Sequence, residues 1–349
     1  MKHEPIKFVE ADPKAPKFKA SYPKISVVMP VYNVEKYVAE AIQSVLDQSF
    51  TRFELIIVDD GGNDNSMDIV RGFDDPRITI ITQENRGLAG ARNTGILHSN
   101  GKYIAFLDSD DRWHKEKLAL HFIHLEHNAH VDMSYSASRL ICEDGKPMAV
   151  VMNPGKGIEK PQRIFLRNPV GNGSAPVIRR STLDRIAFHH PEDELRLCWF
   201  DESFRQSEDI ECWVRLAIQG GANFEGIDAQ VTFYRVASDG LSANIDKQYA
   251  SWQAMVTKLR GYAPAFAERY YRAAHAYQLR YYARRAISMG DSKAALKYMW
   301  QATKESRSIY IFEPKKSFVT LFAALFFTVF GTTALKRAKK TYLINKGAA

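Results

Sequence analysis

Tyr103-Ile104-Ala105-Phe106-Leu107-Asp108-Ser109-Asp110-Asp111 joins an apolar run to a cluster of acids without a break. A short continuous apolar run of this kind is what a strand buried on both faces requires. Upstream, Ile25-Ser-Val-Val-Met-Pro-Val31 and Phe53-Glu-Leu-Ile-Ile-Val58 have the same character. The second of these runs into Asp59-Asp60-Gly61-Gly62, and 78–82 reads as a further strand. Between the strands, Val34, Tyr37, Val38, Ala41, Ile42, Val45 and Leu46 recur three and four apart, marking one face of a helix. Short helices are expected over 66–72 and 88–98, the latter with small residues suited to close packing on a sheet, and another over 113–127. Strands alternating with helices predict an α/β fold, a mainly parallel sheet covered on both faces. In such a sheet ligands bind at the carboxyl ends of the strands, so Asp59-Asp60 and Asp108-Ser109-Asp110 should face one crevice.

Further along, 143–161 is rich in Gly, Pro and Lys and reads as a surface loop. Gly171-Asn-Gly-Ser-Ala-Pro-Val-Ile178 reads as a glycine-hinged loop entering a strand. A helix over 208–218 opens with Glu208-Asp209. A late strand over 231–235 precedes a loop through Ser238, Asp239 and Gly240. Beyond about 246 the pattern is all helical. Stretches 281–289 and 291–303 form a hairpin about Gly290, with Ala283, Ala286, Ala294, Ala295 and Ala302 suited to close helix packing. The expected organisation is a flexible leader over 1–23, an α/β domain over 24–245, a helical region over 246–314 and a basic, apolar tail over 315–349.

The 349 residues carry a net charge of +8, with basic residues gathered at the ends: Lys14, Lys17, Lys19 and Lys24, then Lys336, Arg337, Lys339 and Lys340. Such ends favour anionic partners. Cys142, Cys198 and Cys212 give no CxxC pair and no even disulfide framework, which favours a reducing compartment. The first 24 residues lack the apolar core of a signal peptide. The uncharged stretch 318–335 is flanked by lysines and would rise roughly 27 Å as a helix, just short of the ~30 Å hydrocarbon core. It is left to lie on a membrane surface, to span, or to pack against the protein.

Each acidic cluster has an ordinary explanation beside its chemical one. Two carboxylates one residue apart, at Asp108 and Asp110, can hold a hard divalent cation such as Mg²⁺ or Mn²⁺ that bridges substrate phosphates. They can equally form a solvated turn, with Asp111 capping the next helix. Asp59-Asp60 before two glycines is turn chemistry, yet one of the pair can accept a hydrogen bond from a nucleobase or ribose. Glu208-Asp209 at a helix start complements the helix dipole, yet one of the pair can serve as a general base. His121, His124, His127 and His130 drift around their helix and read as a solvated face rather than a metal site. The Tyr- and Arg-rich run over 269–285 suits helix packing better than nucleic acid, and none is expected as a partner.

From Lys24 to about Leu241 the chain resembles family 2 glycosyltransferases of the GT-A fold. The segments that carry the resemblance follow the family's order: Ser26-Val-Val-Met-Pro-Val-Tyr-Asn33, Val58-Asp-Asp-Gly61, Asn85-Arg-Gly-Leu-Ala-Gly-Ala-Arg-Asn93, Phe106-Leu-Asp-Ser-Asp-Asp111, Glu208-Asp209 and Tyr234-Arg235. The resemblance implies a Rossmann-like GT-A domain followed by the helical region. It implies that Pro30 and Tyr32 line a nucleobase pocket and that Asp60 contacts the base. Asp108 would serve the ribose and the metal, with Asp110 the principal ligand of Mn²⁺ or Mg²⁺ and Asp209 the catalytic base. Arg92 and Asn93 would have a supporting part, Arg92 on the substrate-binding side. Gly61-Gly62 replaces the family's usual Gly-Ser. No Gln-x-x-Arg-Trp segment follows Asp209, which favours addition of a single sugar over processive synthesis.

The expected activity is transfer of one sugar from a nucleotide-sugar donor, UDP-linked by family habit, to a hydroxyl acceptor in cell-surface polysaccharide or glycoconjugate synthesis. Asp209 is expected to remain an ordinary carboxylate near neutral pH. The basic, apolar tail points to a polyprenyl-diphosphate-linked acceptor and to a membrane surface as partner, with the protein cytoplasmic at the inner face of the cell membrane. The alternative is a non-catalytic nucleotide-sugar-binding scaffold, which would need Asp60 but not Asp209. A DxD phosphohydrolase fits poorly, because its nucleophile sits on the first strand and this DxD follows the fourth.

Overall fold

The computed structural model describes residues 23–155, 157–236 and 245–347, with backbone alone beyond 330. The leader through residue 22, the loop of Ser238, Asp239 and Gly240, and the side chains of Lys336, Arg337, Lys339 and Lys340 lie outside the described residues. The chain divides into two compact units, one of residues up to 164 with 168–244, the other of 165–167 with the chain from 245 onward.

The first unit is built on β1 (Ile25–Val31), α1 (Val38–Leu46), β2 (Phe53–Asp59), α2 (Ser66–Arg71), β3 (Ile78–Thr82), α3 (Gly87–Leu97) and β4 (Tyr103–Phe106). These alternate as expected, and β3, β2, β1 and β4 pair side by side in parallel. Every residue of β1 and β4 is buried, which is why both read as unbroken apolar runs. Val38, Ala41, Ile42 and Val45 form the buried face of α1. α3 comes so close to β1 that a Cβ at Gly95 would stand 2.2 Å from a methyl of Val28.

The rest of the sheet is mixed. It continues through β5 (Arg112–Trp113), α4 (Lys117–His127), β6 (Met133–Ile141), β7 (Pro147–Met152), β8 (Ile158–Glu159), α5 (Pro161–Arg167), β9 (Pro176–Arg179), α6 (Arg180–Leu183), the separate hairpin β10 (Phe188–His190) and β11 (Asp193–Cys198), α7 (Glu208–Ile218) and β12 (Phe224–Arg235). β9 runs antiparallel between β4 and β6, and β12 returns parallel to β6. Two local expectations change. The helix expected from residue 113 starts at Lys117, because Arg112 and Trp113 pair with β12 and the Trp113 indole donates to the Ser174 carbonyl at 3.0 Å. The expected loop over 143–161 contains β7 and β8, held as edge strands by β6 and β12.

The histidine series is a solvated face only in part, with His127 and His130 exposed. His121 is fully buried, within hydrogen-bond range of Ser134 (2.7 Å) and the Lys117 ammonium (3.2 Å). Burial and the neighbouring cationic groups push it well below the usual histidine range.

The second unit contains α8 (Ile245–Tyr262), α9 (Pro264–Met289), α10 (Ser292–Glu305), α11 (Ser308–Phe312) and α12 (Pro314–Gly347). Gly290 turns the α9–α10 hairpin in the left-handed region at φ 87°, and the Asp291 side chain caps α10 by accepting from Ala294. Ala286, Ala295 and Ala324 form a tight contact among α9, α10 and α12. Glu313 joins Arg167 and Arg280, which bring it down to about 2 although burial acts the other way. Among the described residues no helix is long and apolar enough to cross a membrane.

Candidate active site

The chain runs from β1 to β2 and β3 on one side of the sheet and returns to β4 on the other, which makes the β1–β4 boundary a switch point. Pairing of β1 with β4 ends at Val28–Phe106, whereas pairing with β2 continues to Val31–Asp59. The two strands therefore part at their carboxyl ends. Buried Pro30 sits where β4 has diverged, so its missing N–H leaves no ladder bond to β4 unmade. Tyr32, two residues on, is half exposed.

The acid pair after β2 divides its labour. Asp59 accepts from the Gly61 N–H at 3.1 Å and closes the turn. Buried Asp60 hangs from β1 through its own N–H to the Val31 carbonyl (3.0 Å). Its carboxylate accepts from the Gln83 amide (2.6 Å) and the Arg86 N–H (2.9 Å). Burial raises its pKa, and these hydrogen bonds oppose the rise.

After β4 the acids are crowded. Burial and the charge of Asp108 push Asp110 up to about 6. Burial, with Asp110 and Asp108 beside it, pushes Asp111 well above the carboxylate range. Asp111 does not cap a helix; its carboxylate accepts from the Arg235 N–H at 2.8 Å. The Arg235 guanidinium donates to the carbonyls of Asp110 and Glu143 (both 2.7 Å) and to Glu40 (2.5 Å), which fixes the backbone that carries the acids. The Ser174 hydroxyl accepts from the Asp108 N–H at 3.0 Å.

Arg92, on α3, ties this strand end to α7. It is 1% exposed, and its two terminal nitrogens donate to Asp108 and Glu208, each at 2.6 Å. Arg92, expected in a supporting part on the substrate-binding side, has both forks committed to protein carboxylates. The loop expected to hinge on glycine makes room for it: a Cβ at Gly173 would stand 2.4 Å from the guanidinium and 3.1 Å from Asp108. Asn93 braces the segment before α7, accepting from the Trp199 and Phe200 N–H groups (2.9 and 2.8 Å).

Asp209 stands in the first turn of α7 beside buried Glu208. Burial raises its pKa to about 7, Glu208 adds to the rise and Arg92 opposes it. The expectation of an ordinary carboxylate is corrected accordingly. The Tyr234 phenol on β12 is raised far above its usual value by burial and then by Asp111, Asp108, Asp110 and Asp209. These acids act on one hydroxyl and so share one neighbourhood. Asp60 stands at the end of β2, with β1 between it and β4, and its hydrogen bonds do not reach the others. Tyr234 was visible in the sequence only as half of Tyr234-Arg235 and carried no role there.

The sequence pattern described as Glycosyl transferase family 2 matches residues 26–187. The putative teichuronic acid biosynthesis glycosyltransferase TuaG of Bacillus subtilis is 31% identical over 231 residues, 64% of this chain and 82% of that protein. UDP-Glc:alpha-D-GlcNAc-diphosphoundecaprenol beta-1,3-glucosyltransferase WfgD of Escherichia coli is 44% identical over 97 residues, 28% of this chain and 38% of that protein. In structure, S. aureus TarS 1-349 in complex with UDP-GlcNAc matches with a TM-score of 0.58 over 88% of this chain and 92% of that one, at 16% identity, a likeness of fold. The scaffold alternative gains nothing from these comparisons, since the sequence relatives are named as enzymes. With 31% identity across 82% of TuaG, this chain belongs to glycosyl transferase family 2 and is a glycosyltransferase.

Proposed function

We propose that the chain transfers a single sugar from a UDP-linked donor to an acceptor hydroxyl by one inverting displacement. The observation that carries this reading is Asp209, brought by Arg92 and Glu208 into the neighbourhood of Asp108 and Asp110 with a pKa near 7. Asp209 takes the hydroxyl proton as the acceptor oxygen bonds to the anomeric carbon, and the bond from that carbon to the nucleoside diphosphate breaks. A base with a pKa near the working pH suits that task. Asp60, with Pro30 and Tyr32 around it, holds the nucleobase end of the donor. Arg92 is a positioning residue that sets Asp108 and Glu208.

Asp110 and Asp108 are assigned to hold Mn²⁺ or Mg²⁺. Among the described residues no three His, Cys, Asp or Glu side chains group as a metal cluster. The all-oxygen pair nonetheless suits a cation that takes its other ligands from water and substrate phosphate. Asp108 raises the pKa of Asp110, and both raise that of Asp111, so the crowded acids also favour a positive charge among them. Such a cation supplies neutralisation of the diphosphate as it leaves.

The acceptor is proposed to be a polyprenyl-diphosphate-linked sugar at the inner face of the cell membrane, the chemistry that the name of WfgD states for that protein. Support in this chain comes from α12, where Phe318, Val319, Phe322, Val329 and Phe330 are exposed behind Lys315 and Lys316.

Two substitutions test the site. Asp209→Asn is expected to leave calorimetric donor affinity unchanged and to lower transfer by about 10²–10⁴-fold; near-normal transfer refutes the base. Asp110→Ala is expected to remove the dependence of donor affinity on Mn²⁺. If wild-type affinity proves the same with and without Mn²⁺, the metal assignment fails.

A further inference from the structure

The second unit holds a hollow that the transfer chemistry does not use. It lies among α9, α10 and the start of α11, with a volume of about 650 Å³, in the range of pockets that hold small ligands. Arg269, Arg272, Lys304 and Arg307 line it against one carboxylate, Glu305. That carboxylate is already engaged, 3.3 Å from His275 and 3.7 Å from Arg272. Among the described residues, Arg269, Lys304 and Arg307 have no carboxylate within ion-pair distance. Trp300, also in the lining, is 60% exposed, with the Lys304 ammonium 3.7 Å from its ring centroid. The hollow thus sets an exposed indole beside four cationic side chains that share one carboxylate. Such a lining suits a ligand that brings an apolar ring face and an anion together.

We propose that this hollow binds an anionic glycan, stacking the C–H face of a sugar ring on Trp300 and pairing its carboxylate or phosphate with Arg269, Arg272 and Arg307. Arginine forks suit either anion in bidentate geometry. A lipid bilayer fits less well, since Ala273 is the only aliphatic side chain of the lining. Single-stranded nucleic acid is bound by successive aromatic platforms along a basic groove, and this hollow has one. The word glycan rests on the proposed function; a transferase that adds one sugar to the end of a longer glycan gains from a second hold on that acceptor, because two linked sites raise the effective concentration of the acceptor end.

The experiment uses the full chain without donor or metal. Oligogalacturonate, phosphorylated mannan oligosaccharide, neutral dextran oligosaccharide and oligo-dT are titrated by calorimetry and tryptophan fluorescence. One or both anionic oligosaccharides are expected to bind, and which one does identifies the anion. An Arg269→Glu, Arg307→Glu double variant is expected to bind it about tenfold more weakly, and Trp300→Phe to lose the fluorescence change. Transfer to a short acceptor should be unaltered in both variants. Equal binding by the charge-reversed variant, equal binding of neutral dextran, or tighter binding of oligo-dT overturns the proposal. Donor turnover by wild type is measured in parallel: its absence refutes the transfer mechanism and leaves the binding result to decide this site alone.

Discussion

Asp209 illustrates how much a single residue takes from its surroundings. Its sequence position, first turn of a helix, predicts a stabilised anion, whereas burial and Glu208 raise its pKa to about 7. As a base in the free enzyme it works only when ionised, so kcat/KM is expected to climb with pH along a limb centred near 7. A pH profile flat between 5.5 and 8.5 would contradict this. The same shift bears on stability. A carboxyl whose folded pKa lies above its unfolded value stabilises the fold while protonated, and that stability is lost as pH rises from about 4 to about 7. Asp209→Asn is therefore expected to raise Tm above wild type at pH 8, by about 1–2 °C for each kcal/mol recovered. The gap should close toward pH 4, and thermal scans at both pH values check it. Arg92 gives the opposite case. Its removal leaves Glu208 and Asp108 without their shared cation. Arg92→Leu is expected to lower unfolding stability by about 3–5 kcal/mol in urea titrations. Arg92→Lys should recover little, since one ammonium cannot replace two forked bonds.

At the scale of elements, the site depends on strand ends held by distant partners. The acids after β4 are fixed from three directions: Arg92 on α3, Arg235 at the end of β12 and Ser174 in the loop before β9. α12 carries its own consequence. Ser317, Thr320, Ala324 and Phe327 form its buried face, while Phe318, Phe322, Val329 and Phe330 stand exposed. An exposed apolar stripe with lysines at its start is the pattern of a helix lying on a membrane surface. Phe322→Glu with Phe330→Glu is expected to abolish co-sedimentation with vesicles containing anionic lipid and to leave donor binding intact. Wild type that fails to sediment with such vesicles removes the basis for membrane docking. Helix boundaries show the limit of periodicity: α4 begins at Lys117 rather than at Trp113, because β12, more than a hundred residues later, takes Arg112 and Trp113 into the sheet.

For the molecule as a whole, the sequence by itself determined the parallel strands at the start, the helices between them, the all-helical end and the acids that cluster at strand termini. These are legible because burial on both faces makes a strand uniformly apolar, and a helix must repeat its apolar face every three or four residues. Only the tertiary structure decided the rest. It made the sheet mixed beyond β4 and turned 143–161 into edge strands. It buried His121 and Lys117 in the core and brought Tyr234 among the acids. It also placed Arg92 between Asp108 and Glu208, residues 16 and 116 positions away along the chain. The physical reason is common to all of these. Periodicity reports how a segment meets an average apolar interior, whereas the state of a charge depends on which particular groups and how little water lie within a few ångströms of it.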